Sequence, residues 1–344
     1  MERIRLGVLG CGGIAQIAHL PAAGKASNVE VVAVCDVSAA QAEAVAARFQ
    51  VPQHYTVAAE MYEKAGLDAV VNCTGETLHR ETTLEALAYG LPVLLEKPMA
   101  PTVADCEAIL AAAEEQGLPV QLAFMKRHDP GLRFAHAFWT EQGGAPLLVS
   151  SWYLDTRFHA HYAYTLAGPR ISTPEQRRVP SGRERWEEAF IGHSVHHADL
   201  LLWFGGPVRR VCATGGEVNG QVAVAATLEF ARGARGTHQF ITAQPADWQE
   251  GLMLQASRAV VNVEIPFPYR QLVSRVSAYD ATANLYHRLG NQVADWYQQQ
   301  LERFAQALLE GTPVTPAARD GLEAQRLILA LCEAVRRGGW VEVE

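Results

Sequence analysis

The sequence predicts an α/β protein in two parts, a helix-covered parallel sheet followed by a mainly antiparallel one. Three observations carry this. Over the first third of the chain, unbroken apolar runs alternate with Ala-rich helical stretches, the pattern of strands buried on both faces. After about residue 145, strand-like runs follow one another across short Gly- or Pro-marked turns, and several alternate in polarity, as half-covered antiparallel strands do. The length of 344 residues also exceeds what one hydrophobic core organises.

In order, strands are expected at Ile4–Leu9, Val29–Cys35, Ala69–Cys73, Pro92–Leu95 and Val120–Phe124. Helices are expected between them at Ser38–Phe49, His79–Tyr89 and Thr102–Gln116. Gly90 and Gly117 stand where two of these helices should stop, the usual place for a helix-ending glycine. A second set of strands follows at Leu147–Leu154, Val208–Thr214, Val222–Phe230, Gly236–Ile241, Leu252–Ala256 and Ala259–Ile265. Two amphipathic helices, about Gln292–Glu310 and Ala317–Arg336, close the chain. Gly168–Arg185, rich in Pro, Arg and Ser, reads as a long surface loop, either a lid over a cleft or a solvated insertion.

Composition narrows the function. With 49% hydrophobic and 19% charged residues, the chain has apolar material for sizeable cores. A net charge of −8 argues against a nucleic-acid partner, which needs a basic face. No apolar run reaches the roughly 18 residues of a membrane span, and the N-terminus enters a strand without a signal-peptide pattern. Six scattered cysteines without a Cys-x-x-Cys pair read as reduced thiols of a cytoplasmic protein.

The first motif with chemistry is 10-GCGGIA-15, between the first strand and a helix. Gly10 permits the tight turn, Gly12 lets the backbone approach a pyrophosphate, and Ala15 allows close helix–strand packing. About twenty positions further on, Asp36 ends the second strand, where an acid accepts from the adenosine ribose 2′-OH. Val37–Gln41 contains no Arg or Lys to hold a 2′-phosphate, so NAD is expected rather than NADP. A second motif, 95-LEKPMA-100, follows the fourth strand. Lys97 there projects into the ligand crevice at the carboxyl end of the sheet, or forms an ordinary Glu–Lys surface pair.

The third motif is 190-FIGHSVHHADLLLWFGG-206, with His193, His196, His197 and Asp199 ahead of a leucine run. A helix starting near His193 and ending at Gly205-Gly206-Pro207 places His196, Asp199, Leu200 and Trp203 on one face. Such a cluster suits proton transfer, since imidazole titrates near neutrality. His197 points elsewhere, as a packing or surface residue. The same histidines, with His159 and His161, could be read as zinc ligands, but no Cys-pair or H-E-x-x-H framework accompanies them. No metal is expected.

GCGGIA, Asp36, 68-DAVVNCTGETLH-79, EKP and His196-x-x-Asp199 together resemble the glucose–fructose oxidoreductase / inositol dehydrogenase family over nearly the whole chain. The resemblance implies an N-terminal Rossmann dinucleotide-binding domain (1–123) and a C-terminal α/β domain (124–344) with a large, mostly antiparallel open sheet for substrate binding and oligomerisation. It implies cofactor contacts from Gly10, Cys11, Gly12, Gly13, Ile14, Ala15, Asp36, Thr74, His79 and Glu96, the last near the nicotinamide ribose. Lys97 would polarise the substrate oxygen, touching cofactor and substrate, and His196 would be the general acid/base. Met125 and Lys126, in 124-FMKRHDPG-131, match a substrate-contacting strand. Many family members carry an acid four positions before the histidine. Gly192 stands there in this chain, leaving His193 or Asp155 to take its part.

The function implied is NAD-dependent hydride transfer on a sugar, polyol or inositol-type hydroxyl or carbonyl. A NAD-assisted glycosidase or lyase of the same fold, and a non-catalytic NAD-binding regulator, are the alternatives. A homo-oligomer, dimer or tetramer, is expected by resemblance.

Overall fold

The computed structural model describes residues 2–173, 180–290 and 292–343, which form two compact units. The chain first lays down β1 (Ile4–Leu9), α1 (Leu20–Ala23, entered through a π-helical turn), β2 (Val29–Cys35), α2 (Ala39–Phe49), β3 (Gln53–Tyr55) and α3 (Ala58–Lys64). Then come β4 (Ala69–Asn72), α4 (His79–Ala88), β5 (Val93–Leu95), α5 (Val103–Gln116) and β6 (Val120–Leu122). These strands form one sheet in the order β3-β2-β1-β4-β5-β6, parallel throughout. Leu6, Val8, Val34, Val70, Val71, Leu94 and Leu95 are buried in it, so the apolar runs reflect a sheet covered on both faces. Ser38 and Thr102 cap α2 and α5 by accepting from Gln41 N and Asp105 N. Gly117 ends α5 at φ +63°, where a side chain would be strained.

The strand order reverses between β1 and β4, the switch point where such sheets bind ligands. Met1–Met125 is only part of this unit: Ala163–Ser181 and Tyr297–Leu322 return to it. The expected division at 123/124 therefore describes the first exit from the unit and not its full membership.

The chain continues through α6 (Pro130–Gln142), β7 (Pro146–Thr156), α7 (His159–Ala167), α8 (Arg185–Gly205), β8 (Val208–Val218), β9 (Gln221–Phe230), β10 (Arg235–Gln244), β11 (Gln249–Ala256) and β12 (Ala259–Glu264). β13 (Arg275–Asp280), β14 (Leu285–Arg288), α9 (Trp296–Glu310), α10 (Ala318–Arg337) and β15 (Trp340–Glu342) complete it. Nine strands form the second sheet, in the order β14-β13-β12-β11-β7-β10-β9-β8-β15. All its pairings are antiparallel except β7 with β10. Helix α8 packs on β7, β10, β9 and β8.

Two local expectations are corrected. Helix α8 begins at Arg185, two turns before His193, because Glu184 and Glu187 form a capping box that satisfies the first free N–H groups. The stretch expected to continue a strand to Phe124 leaves the sheet at Leu122, and Met125–His128 is a 3-10 turn. Asp129 then caps α6, accepting from Gly131 N and Leu132 N, with Pro130 at the first helical position. Of the loop expected over 168–185, residues 174–179 lie outside the described residues, and with them the question of a lid.

Candidate active site

In the first unit the site is built around the carboxyl ends of β1, β2, β4 and β5. Gly10 has φ +88°, and a Cβ on it would fall 2.8 Å from the Cys73 carbonyl carbon and oxygen. Only glycine fits this turn. A Cβ on Gly12 would meet nothing within 4 Å, so the backbone there is open to a phosphate. Ala15 is fully buried, consistent with close packing of the helix that follows. Asp36 sits at the end of β2, half-buried, its Oδ2 accepting from Cys11 N at 2.9 Å and Oδ1 from Ser38 N at 3.0 Å. These two bonds hold the carboxylate beside the turn. An open glycine turn and an adjacent fixed carboxylate fit the pyrophosphate and ribose of a dinucleotide.

At the end of β4, Asn72 Oδ1 accepts from Thr74 N at 3.2 Å and from Thr74 Oγ1 at 2.8 Å. His79 stands between two carbonyls, Pro98 O at 2.8 Å from Nδ1 and Thr74 O at 3.0 Å from Nε2. Burial lowers its pKa despite both backbone contacts, which act in the opposite sense. His79 thus ties the loop after β4 to the loop after β5. Glu96 is 4% exposed. Its Oε1 meets His19 Nε2 at 2.7 Å, and its Oε2 accepts from Lys97 N at 3.1 Å. Burial pushes the Glu96 carboxyl up, but the His19 hydrogen bond, with the His19 and Lys97 charges, outweighs it and holds the pKa below the usual range. The Glu96-Lys97-Pro98 turn is therefore held from both sides, by Glu96 at Lys97 N and by His79 at Pro98 O. Lys97 itself is half-buried, which rules out a freely solvated surface pair.

In the second unit, β7 alternates Ser151, Tyr153 and Asp155 on one buried face, toward α8. Tyr153 Oη lies 3.0 Å from His193 Nδ1. Burial raises the phenol's pKa well above its ordinary value, so it keeps its proton and can donate to that nitrogen. Asp155 Oδ1 lies 2.9 Å from His159 Nδ1, and the His159 and His193 rings meet edge to face, centroids 5.7 Å apart. His196 is one helical turn beyond His193 and 6% exposed. Asp199, on the next turn, takes two bonds from Arg127, Nε at 2.9 Å and Nη2 at 2.5 Å.

Behind Tyr153 lies a buried charged group. Glu250 Oε1 accepts from Lys126 Nζ at 2.5 Å and meets His197 Nε2 at 2.7 Å. Burial raises the Glu250 carboxyl, but Lys126 and His197 outweigh it and hold the pKa below its ordinary value. Burial lowers His197 in spite of Glu250, so a neutral imidazole donates to an ionised carboxylate. His238 stacks on His197 with centroids 5.2 Å apart and lies between Ser151 Oγ at 2.8 Å and Ser194 Oγ at 3.0 Å. Lys126 is 1% exposed, with its ammonium over the Tyr153 ring. Met125 is also buried, at 3%. Among the described residues no three His, Cys, Asp or Glu side chains are grouped to hold a metal ion.

Sequence reasoning missed His19, Tyr153, Glu250 and His238. Tyr153 was within reach, since strand alternation puts it on the face of Asp155. Glu250 faces Tyr153 only through the β11–β7 register, which has no local signal.

The fold and the glycine turn define an NAD-binding oxidoreductase. Residues 4–124 match the model of an oxidoreductase family with an NAD-binding Rossmann fold. The matched residues carry the Rossmann part of the glucose–fructose oxidoreductase / inositol dehydrogenase family model, and the second sheet continues the likeness in fold over the rest of the chain. It is 26% identical to inositol 2-dehydrogenase of Ralstonia nicotianae, over 99% of this chain and 96% of that protein. It is likewise 26% identical to inositol 2-dehydrogenase of Paracoccus denitrificans, over 98% and 95%. Among solved structures, it resembles an oxidoreductase domain protein from Kribbella flavida, TM-score 0.83 at 20% identity over 100% of both chains. It also resembles scyllo-inositol dehydrogenase from Lactobacillus casei with bound NAD(H) and scyllo-inositol, TM-score 0.77 at 18% identity over 99% of both chains.

Proposed function

We propose that the protein is an NAD-dependent dehydrogenase of an inositol, polyol or sugar hydroxyl. The observation that carries this is the Glu96-Lys97-Pro98 turn, clamped by His19, Glu96 and His79 at the carboxyl end of β5 in the NAD-binding unit. Holding a half-buried lysine's backbone from both sides costs conformational entropy, which is offset when its ammonium must be positioned for chemistry.

NAD would supply the hydride acceptor for the carbinol carbon. Gly10–Ala15 would hold the diphosphate and Asp36 the ribose hydroxyls, with Thr74 and Glu96 beside them and His79 acting through the two carbonyls it grips. Lys97 steadies negative charge developing on the substrate oxygen, and His196 takes the hydroxyl proton. His193, held by Tyr153, and Asp155, paired with His159, supply polar contacts for a polyhydroxylated substrate alongside Met125. Lys126, committed to Glu250, acts by supporting Tyr153. We assign the protein to the cytoplasm, in keeping with its free cysteines, and expect a homo-oligomer. A panel of inositols, polyols and sugars, followed by NADH absorbance, tests the reading. Turnover of a cyclic or linear polyol is expected, and no NADH from any member would overturn it.

A further inference from the structure

Within the first unit, Pro169–Thr173 lies against the glycine-rich turn. Ile171 is bound on both sides of its peptide: its N–H donates to Gln16 Oε1 at 2.9 Å, and its carbonyl accepts from Gln16 Nε2 at 2.9 Å and Gln41 Nε2 at 3.0 Å. Both glutamines also donate to Cys11 O in the turn itself, at 2.8 and 2.9 Å. They are 1% and 0% exposed. Ser38 Oγ and Thr173 Oγ1 are 2.9 Å apart, and Arg48 donates to Pro169 O. Two buried carboxamides thus fasten one carbonyl of this segment to one carbonyl of the turn. The fastening sets the place of Arg170: a Cβ built on Gly13 would stand 3.6 Å from its Nη1. The guanidinium thus lies beside Gly13, the residue that follows the open backbone at Gly12.

We infer that Pro169–Thr173 is a strap of the NAD site and that Arg170 binds the cofactor's diphosphate, with Gln16 and Gln41 as positioning residues. A guanidinium presents paired donors that match phosphate oxygens. Its fixed neighbours spare part of the ordering cost that a long exposed side chain otherwise carries on binding. The inference rests on the NAD-binding fold and is independent of the substrate.

The test is Arg170→Met, which keeps an unbranched apolar stem and removes the charged guanidinium at an exposed position. Binding is titrated with NAD and ADP by fluorescence and with adenosine by NMR. NAD and ADP should weaken about tenfold or more, the usual worth of a charge-assisted bond, with a shallower salt dependence, while adenosine stays within about twofold. Gln41→Met should weaken NAD by a smaller factor. Combined with Arg170→Met it should add nothing, because it acts through Arg170. Unchanged NAD affinity in Arg170→Met, or adenosine weakened in parallel, overturns the strap alone. A wild-type protein that fails to bind NAD overturns the cofactor reading with it.

Discussion

In the function proposed above, Asp36 carries the choice between the two nicotinamide dinucleotides. Its carboxylate is fixed by Cys11 N and Ser38 N and would repel a 2′-phosphate. NAD should bind more tightly than NADP, and Asp36→Ala should narrow the gap; comparable affinities in the parent protein, by fluorescence titration, would refute this. Lys97→Met removes charge at nearly constant volume, and His196→Asn removes a titrating ring. Each should lower kcat by roughly 10²–10⁴-fold with NAD affinity little changed, and steady-state assays on the best polyol decide it. The placement of these residues was legible because a tight turn, an acid at the end of β2 and a lysine after β5 each depend on local spacing. The partners that fix them were not. His19 reaches Glu96, and Gln16 and Gln41 reach Ile171, across 77 to 155 positions of sequence, and nothing local marks such a pairing.

Helix α8 and strands β7, β10 and β11 are joined by groups whose charge depends on pH. His197 and His238 are held neutral in the folded protein, their pKa values lowered mainly by burial. Each takes up a proton more readily when unfolded, so its contribution is present above the ordinary histidine pKa near 6.5 and lost as pH falls below it. Glu250, lowered below its own ordinary value, adds a loss at still lower pH. The melting temperature should therefore fall between pH 7.5 and 5.5, by up to about 1.4 kcal/mol of stability per pH unit per histidine. His197→Asn should melt lower at pH 7.5, because it leaves buried Glu250 one partner short, and should lose less on acidification. Equal pH slopes for variant and parent, by differential scanning fluorimetry, would rule this out. At this scale long apolar runs were legible: β1 and β2 fall on their expected bounds. Short β3, α3, β13, β14 and β15 escaped because three to seven residues carry too little periodicity. The start of α8 escaped because its capping box uses Glu at both positions, in place of the Ser or Thr that usually announces one.

Across the whole molecule, the dinucleotide-binding unit is not one continuous stretch of chain. Leu122 N donates to Pro316 O, Gln121 bridges to Ala317, and a Cβ on Gly321 would lie 2.6 Å from Leu122 Cγ. Asn28 donates to Glu302 O at 2.8 Å, and Leu301, Phe304 and Ala305 are fully buried. A fragment ending at Ala123 would expose this apolar surface and leave β6 without its bond to Pro316. It should lack the cooperative melt and slow amide exchange of the full chain; a sharp unfolding transition in that fragment would contradict the prediction. The alternation of strand and helix revealed the sheet but not this return, since adjacency in sequence says nothing of which later helix completes an early core. The same return sets a schedule for biosynthesis. Roughly 200 residues separate Leu122 from Leu322, and at ribosomal speeds of about 5–20 residues per second the nascent sheet waits about 10–40 s for its last helix. During that interval an apolar sheet edge is on offer to chaperones, and the unit is complete only once this helix has emerged.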